Sequence, residues 1–195
     1  VPPTPPGVWH YVDGGSPPFQ TICLNPAHPL ARNPSNFVAP LPAQSTEGAG
    51  TRIMLDYALG AVRGGTVTGA QWDAALRGKY SVAFGANNVA SYTASAVCGG
   101  EANSCLAERG FIGGGYSNRI AVGIGATICG GSTNSVRGNY AGVFGGSGNV
   151  AGAEHAFVAT GDANRCGAVA SAIVGGSHLN ISDQDETLYT RRFRQ

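Results

Sequence analysis

Residues 141–155 read AGVFGGSGNVAGAEH, and residues 156–170 read AFVATGDANRCGAVA. Laid over one another, the two lines share a small residue, a β-branched residue two places on, a glycine three after that, and an asparagine three after the glycine. The frame recurs from Tyr80 to Ser182. Its glycines are Gly85, Gly100, Gly115, Gly131, Gly146, Gly161 and Gly176, at steps of 15, 15, 16, 15, 15 and 15 residues. Val82, Val97, Ile112, Ile128, Val143, Val158 and Ile173 stand three places before them. Asn88, Asn103, Asn118, Asn134, Asn149 and Asn164 stand three places after, with Asn180 one residue late. A fixed period over seven copies is the signature of a repeat architecture.

A period near 15 is too short for helix-hairpin repeats or propeller blades and fits one coil of a β-solenoid, with two short strands and two turns. The fold class expected is therefore all-β, a parallel solenoid of about seven 15-residue coils over residues 80–182. In each coil the Val/Ile position points inward, and the Gly-x-x-Asn segment is read as the turn, because Gly and Asn tolerate left-handed backbone. Two residues past the Asn lies a second apolar column, Ala90, Cys105, Ile120, Val136, Ala151 and Cys166. Two residues before the Val/Ile column the residues are mostly small: Tyr80, Ser95, Gly110, Ala126, Ala141, Ala156 and Ser171.

Each coil thus offers its core one medium residue and several small ones, and a thin core gives a marginal fold. Packing three chains side by side would bury a second apolar surface. Trimer packing is accordingly expected of Val82, Val97, Ile112, Ile128, Val143, Val158 and Ile173, with Phe84, Phe111, Phe144 and Phe157 on the surface between chains. The plainer alternative makes these phenylalanines ordinary core residues of one chain.

Composition narrows the function classes. Glycine is abundant at 31 residues and only 12% of residues are charged, but fixed offsets from β-branched residues argue for order rather than disorder. A net charge of +1 gives no case for nucleic-acid binding, which needs clustered Lys and Arg. No apolar run reaches the roughly 18 residues of a membrane span, so membrane insertion is not expected. The sequence opens on Val1 with no signal-peptide pattern, and we read it as a processed or partial chain. The five cysteines, Cys23, Cys98, Cys105, Cys129 and Cys166, are not at metal-finger spacing. Cys98 and Cys129 share a column two coils apart, near 9–10 Å, beyond the reach of a disulfide. The expectation is small buried thiols.

Residues 1–50 hold most of the prolines and read as an extended, polyproline-like arm. Trp9, Tyr11, Phe19 and Phe37 interleave with the prolines, which suits an arm lying against a folded surface or a neighbouring subunit. Residues 51–79 form a cap segment: a strand at 51–57, short strands near 60–65 and 66–68, and a helical turn at 69–78 carrying Trp72 as the cap. Residues 183–195 leave the repeat, as a closing strand or a lead into another domain.

The segment 80–90, YSVAFGANNVA, resembles the head repeat of YadA-like trimeric autotransporter adhesins. Residues 145–152, GGSGNVAG, resemble a variant of that repeat found in bacterial, phage and large-DNA-virus fibre proteins, and 65–81 is similar to the segment that often introduces such repeats. The resemblance spans roughly residues 51–182. It implies a left-handed parallel β-roll, three chains around one axis, in an extracellular adhesin or a virion spike. The cysteines are unusual for secreted adhesins, and no coiled-coil stalk or anchor pattern is seen in these residues. Those departures favour a virion-surface spike or fibre over the head domain of a bacterial adhesin. A host cell-surface receptor, taken as a glycan, and other virion proteins met through the N-terminal arm are the partners expected beside the homotrimer.

No catalytic, metal-ligating or cofactor motif emerges. The glycine-rich segment at 142–148 lacks the strand–helix context of a phosphate loop and simply recurs each coil. A glycan-degrading spike is the competing class, and it would need a carboxylate pair such as Glu154 and Asp162. For glycan binding the candidates are Tyr116, Tyr140, Glu101 and Asp162, outward residues able to stack on or hydrogen-bond a sugar; the plain alternative makes them rim residues.

Overall fold

The computed structural model describes residues 9–13, 20–24, 48–56, 58–182 and 188–189. Among them there is no α-helix, only a three-residue 3₁₀ turn at Ala74–Leu76. Strands β1 (Trp9–Asp13) and β2 (Gln20–Leu24) pair antiparallel in a sheet of their own, Trp9 opposite Leu24. Within the arm expected to be extended and polyproline-like, these two runs therefore form an antiparallel pair. The prolines flank two five-residue proline-free runs, and those runs are free to exchange backbone hydrogen bonds. The rest of the arm, with Phe19 and Phe37, lies outside the described residues.

Strands β3 (Gly50–Asp56) and β4 (Ala61–Val67) form a single antiparallel hairpin, so the two short strands expected at 60–68 are one. β4 then pairs in parallel with β5 (Val82–Ala86), which makes the cap an irregular first coil rather than a separate unit. The later strands are two residues long and stack in parallel as a β-solenoid of about seven coils. One sheet has ten strands and the other seven. In the ten-stranded sheet Val97, Ile112, Ile128, Val143, Val158 and Ile173 are in register coil upon coil. In the seven-stranded sheet Ala90, Cys105, Ile120, Val136, Ala151 and Cys166 stack likewise. Facing one another, the two columns form the core.

Every residue named in those two columns is fully buried within one chain. The Val/Ile column therefore closes its own coil and does not reach a neighbouring chain, which corrects the expectation of trimer packing for Val97, Ile112, Ile128, Val143, Val158 and Ile173. Val82 is corrected differently. It pairs with Ala96 and is half-buried, while Ala83 pairs with Val97 and takes the inward slot. Tyr80 is exposed for the same reason, and Ser81 fills the small-residue slot. The cause lies in β4: Arg63 pairs with Ala83 at the foot of the Val/Ile column.

Arg63 is fully buried there, and its guanidinium donates to the Ser81 carbonyl and hydroxyl and to the Ala90 carbonyl at 2.8–3.1 Å. Desolvation, with Arg77 adding repulsion, pushes its pKa down to about 10. A methyl at Ala83 leaves room for this plug. Trp72, as expected of a cap, is fully buried against Met54 and Val67, and its indole N–H donates to the Asn88 carbonyl at 3.0 Å.

The asparagines do not make the turn. Left-handed backbone belongs to the residue before each one, Asn87, Ala102, Ser117, Thr133, Gly148 and Ala163, and to the repeat glycines. The asparagines themselves are buried and bond coil to coil. Asn118 Oδ1 accepts the backbone N–H of Asn134 at 3.0 Å, and its Nδ2 donates to the Gly114 carbonyl at 3.0 Å and the Gly131 carbonyl at 2.9 Å. Asn88 through Asn164 repeat the pattern. Asn180 is outside it: Leu179 occupies the next rung, its backbone N–H meeting Asn164 Oδ1 at 3.0 Å, and Asn180 points outward.

Glycine is required beside this ladder. Gly115 has φ +89°, and a Cβ there would run into the Gly131 carbonyl of the next coil. The one 16-residue step is absorbed between Ile120 and Ala126, where Val122 and Ile124 are pushed out to solvent. At the far end Leu188–Tyr189 pairs with Ala172–Ile173, a closing strand; the rest of 183–195 lies outside the described residues.

A buried Val or Ile contributes about 1.5–3 kcal/mol. Stranding a buried polar group costs about 1–3 kcal/mol, so each rung matters as much as the apolar residue it faces. Asn118→Ala, which strands the Asn134 N–H and removes the donor to Gly114, is expected to lower unfolding stability by about 3 kcal/mol in denaturant titration. Asn118→Asp, which keeps the acceptor but loses both donors and buries a charge, is expected to cost more. A loss below about 0.5 kcal/mol, the range of a neutral surface change, would contradict this role.

Candidate functional site

Each coil presents four sides: the outer faces of two sheets and two turns. Strand alternation sends the neighbours of every inward residue outward. On the ten-stranded sheet those neighbours include Ile53, Leu55, Phe84, Phe111, Phe144 and Val174, all exposed, with Phe157 half-buried. The Phe144 and Phe157 rings meet edge to face at 5.0 Å. Between them stand Ala96, Cys98, Gly113, Thr127, Cys129 and Ala159, and among the described residues no outward one of this face is Asp, Glu, Lys, Arg or His. Of the residues expected between chains, Phe84, Phe111 and Phe144 thus lie on an outer face; they are not core residues of one chain.

The seven-stranded sheet obeys the same alternation with different chemistry. Its outward column runs Ser104, Arg119, Ser135, Val150, Arg165, and the parallel column carries Leu106, Ala121 and Arg137. Arg119, Arg137 and Arg165 are exposed and make no ion pair among the described residues. Sequence reading missed this face. Its signal was the outward neighbour of each inward residue, Arg119 beside Ile120, Arg137 beside Val136 and Arg165 beside Cys166.

The glycan-binding candidates are not brought together. Glu101 and Tyr116 are bridge partners on successive coils of the glycine turn, and both are exposed. Asp162 follows in the same column three coils beyond Tyr116, about 14 Å away. Tyr140 is on the opposite turn, in left-handed backbone with φ 53°. Its ring stacks on His155 at 5.5 Å and 12° and lies over Gly125, where an added Cβ would sit 2.9 Å from the Tyr140 ring. One face of Tyr140 is therefore taken by His155, whereas Tyr116 has no ring partner among the described residues.

Glu154 precedes the Phe157–Val158 strand and Asp162 follows it, which puts them on opposite turns. One chain does not pair them. Among the described residues the Glu154 carboxylate has His155 as its ion-pair partner, at 3.7 Å and exposed, a contact of little energetic weight. Among the described residues no group of three or more His, Cys, Asp or Glu is placed to hold a metal ion. No helix among them is long and apolar enough to cross a membrane.

Of the four cysteines whose side chains are described, the expectation of buried thiols holds for Cys105 and Cys166. Cys98 and Cys129 follow an inward residue by one place, so alternation exposes them. Burial pushes the Cys105 thiol up to about 11.

Comparison with protein-family models, with curated proteins and with solved structures finds no match. The fold defines the class: an all-β repeat protein built as a parallel β-solenoid, with one apolar and one basic sheet face.

Thiol chemistry reads the core directly. At pH 8 Cys105 and Cys166 are expected to resist alkylation in the native protein and to react on denaturation, because both thiols are fully buried and burial also holds the Cys105 thiol above its ordinary pKa. Labelling of Cys105 as fast in native as in denatured protein, by peptide mass spectrometry, would contradict the core register.

Proposed function

We propose that this chain is a structural and adhesive spike or fibre protein of a virion surface, acting as a homotrimer and attaching to a host-cell glycan. The observation that carries the assembly is the outer face of the ten-stranded sheet. It exposes three phenylalanines together with Ile53, Leu55 and Val174, and the described outward residues of its strands carry no formal charge. Long contiguous apolar surfaces of this kind mark interaction sites. A chain with 12% charged residues that places arginines on its other sheet has the means to solvate this face and does not use them. Three copies turned inward on this face would form a second apolar layer outside the narrow coil core. The residues resembling YadA-like heads support the same assembly, with a β-roll shaft of roughly 34 Å over seven coils.

The adhesive part follows from what the trimer leaves outside: the seven-stranded face and the two turns, Glu101 and Tyr116 among them. A rigid shaft with such surfaces suits display and attachment, with the N-terminal arm toward other virion proteins.

Velocity sedimentation of the full chain is expected to give a particle of about three times the 19.7 kDa chain mass. Phe144→Glu, a charge placed on the apolar face, is expected to shift that particle towards the monomer without loss of β-structure by circular dichroism. A stable wild-type monomer would contradict the assembly.

A further inference from the structure

We infer that Arg119, Arg137 and Arg165 form a binding site for a linear sulfated polysaccharide. The inference rests on the adhesive reading above and names its ligand class. The three residues stand on the outer face of the seven-stranded sheet, whose registered strands fix their spacing. Arg119 and Arg165 occupy one column three coils apart, about 14 Å. Arg137 stands one coil beyond Arg119 and two coils before Arg165, two residues past Ser135 along the chain and so in the neighbouring column. All three are exposed, and none has an acidic partner among the described residues. Arg109 is different: it lies on a turn with Glu108 at 3.1 Å.

An arginine without a counter-ion keeps its five donors for a ligand, and its planar fork matches the paired oxygens of a sulfate or carboxylate. Three such forks on a flat surface suit an extended chain with repeated anions rather than a compact ion. Ser104 and Ser135 flank Arg119 in the same column and supply hydroxyls for sugar oxygens. A single strand of nucleic acid is disfavoured because the outward columns here carry no aromatic residue on which bases stack. A sulfated chain needs no such platform. The glycan site thus moves off the turns that hold Tyr116 and Tyr140.

The test uses the full chain on immobilised heparin, with dextran as a neutral glycan and single-stranded DNA as a non-glycan polyanion. Wild type is expected to bind heparin in a salt-sensitive manner. R119Q, R137Q and R165Q are each expected to weaken binding roughly fivefold and the triple variant roughly 100-fold. R109Q should leave it unchanged, and the triple variant should sediment as wild type. Heparin binding that survives the triple substitution overturns the site. Binding to dextran but not heparin overturns the ligand class and leaves the adhesive reading standing. DNA held as tightly as heparin, and lost equally in the triple variant, overturns the sulfated-glycan assignment in favour of a general polyanion surface. Wild type that binds none of the probes overturns this inference, and binding to no member of a broad glycan array would remove the adhesive reading as well.

Discussion

The buried asparagine ladder is the constraint on which the solenoid depends. A coil of 15 residues encloses too little apolar volume to be held by its core alone, and its glycine turn leaves backbone groups facing the interior. One amide per coil resolves this. Its oxygen takes the N–H of the next asparagine, and its nitrogen serves one carbonyl in its own coil and one in the next. No other side chain of that size supplies an acceptor and two donors at once without charge. The ladder also sets the rise between coils. Gly115 and Gly131 approach so closely that a side chain at either would force the coils apart. Asparagine and glycine thus recur together because each needs the other.

From that rise everything else follows by alternation. Inward residues stack in two columns, and outward residues stack in columns of their own, so a choice made once per coil becomes a continuous surface. On one sheet the choice is uncharged, with Phe among small and apolar residues; on the other it includes Ser and Arg. The ends need separate devices, because a ladder has a first and a last rung. Arg63 and Trp72 satisfy Ala90 and Asn88 carbonyls at one end. Leu179 replaces the amide at the other.

The period and the two core columns were legible in the sequence because each is a local spacing repeated many times. The first coil was not. Counting back from Gly85 selects Val82, whereas the buried Arg63 beneath it requires a small residue and shifts the inward slot to Ala83. The function of the asparagines was hidden for a related reason. Propensity assigns them to turns, and only stacking reveals that they bond between coils. Asn180 looked like a late member of the series, yet register places Leu179 in the ladder. The repeat fixes a residue's column but not which residues come together: Tyr140 and Asp162 belong to different turns, and the Tyr140 ring stacks on His155. The arginine face was readable in principle, had the outward neighbours of Ile120, Val136 and Cys166 been traced.

The central claim is that one chain completes its own core yet leaves an apolar sheet face that copies of itself cover. Hydroxyl-radical footprinting of the intact assembly, read by mass spectrometry, reports this side chain by side chain. Phe111, Phe144 and Cys98 should be protected in the assembly and oxidised on dissociation, while Tyr116, on a turn, should be oxidised in both. Equal oxidation of Phe144 and Tyr116 in the native protein would mean that the face is bare, and the account of the assembly would be wrong.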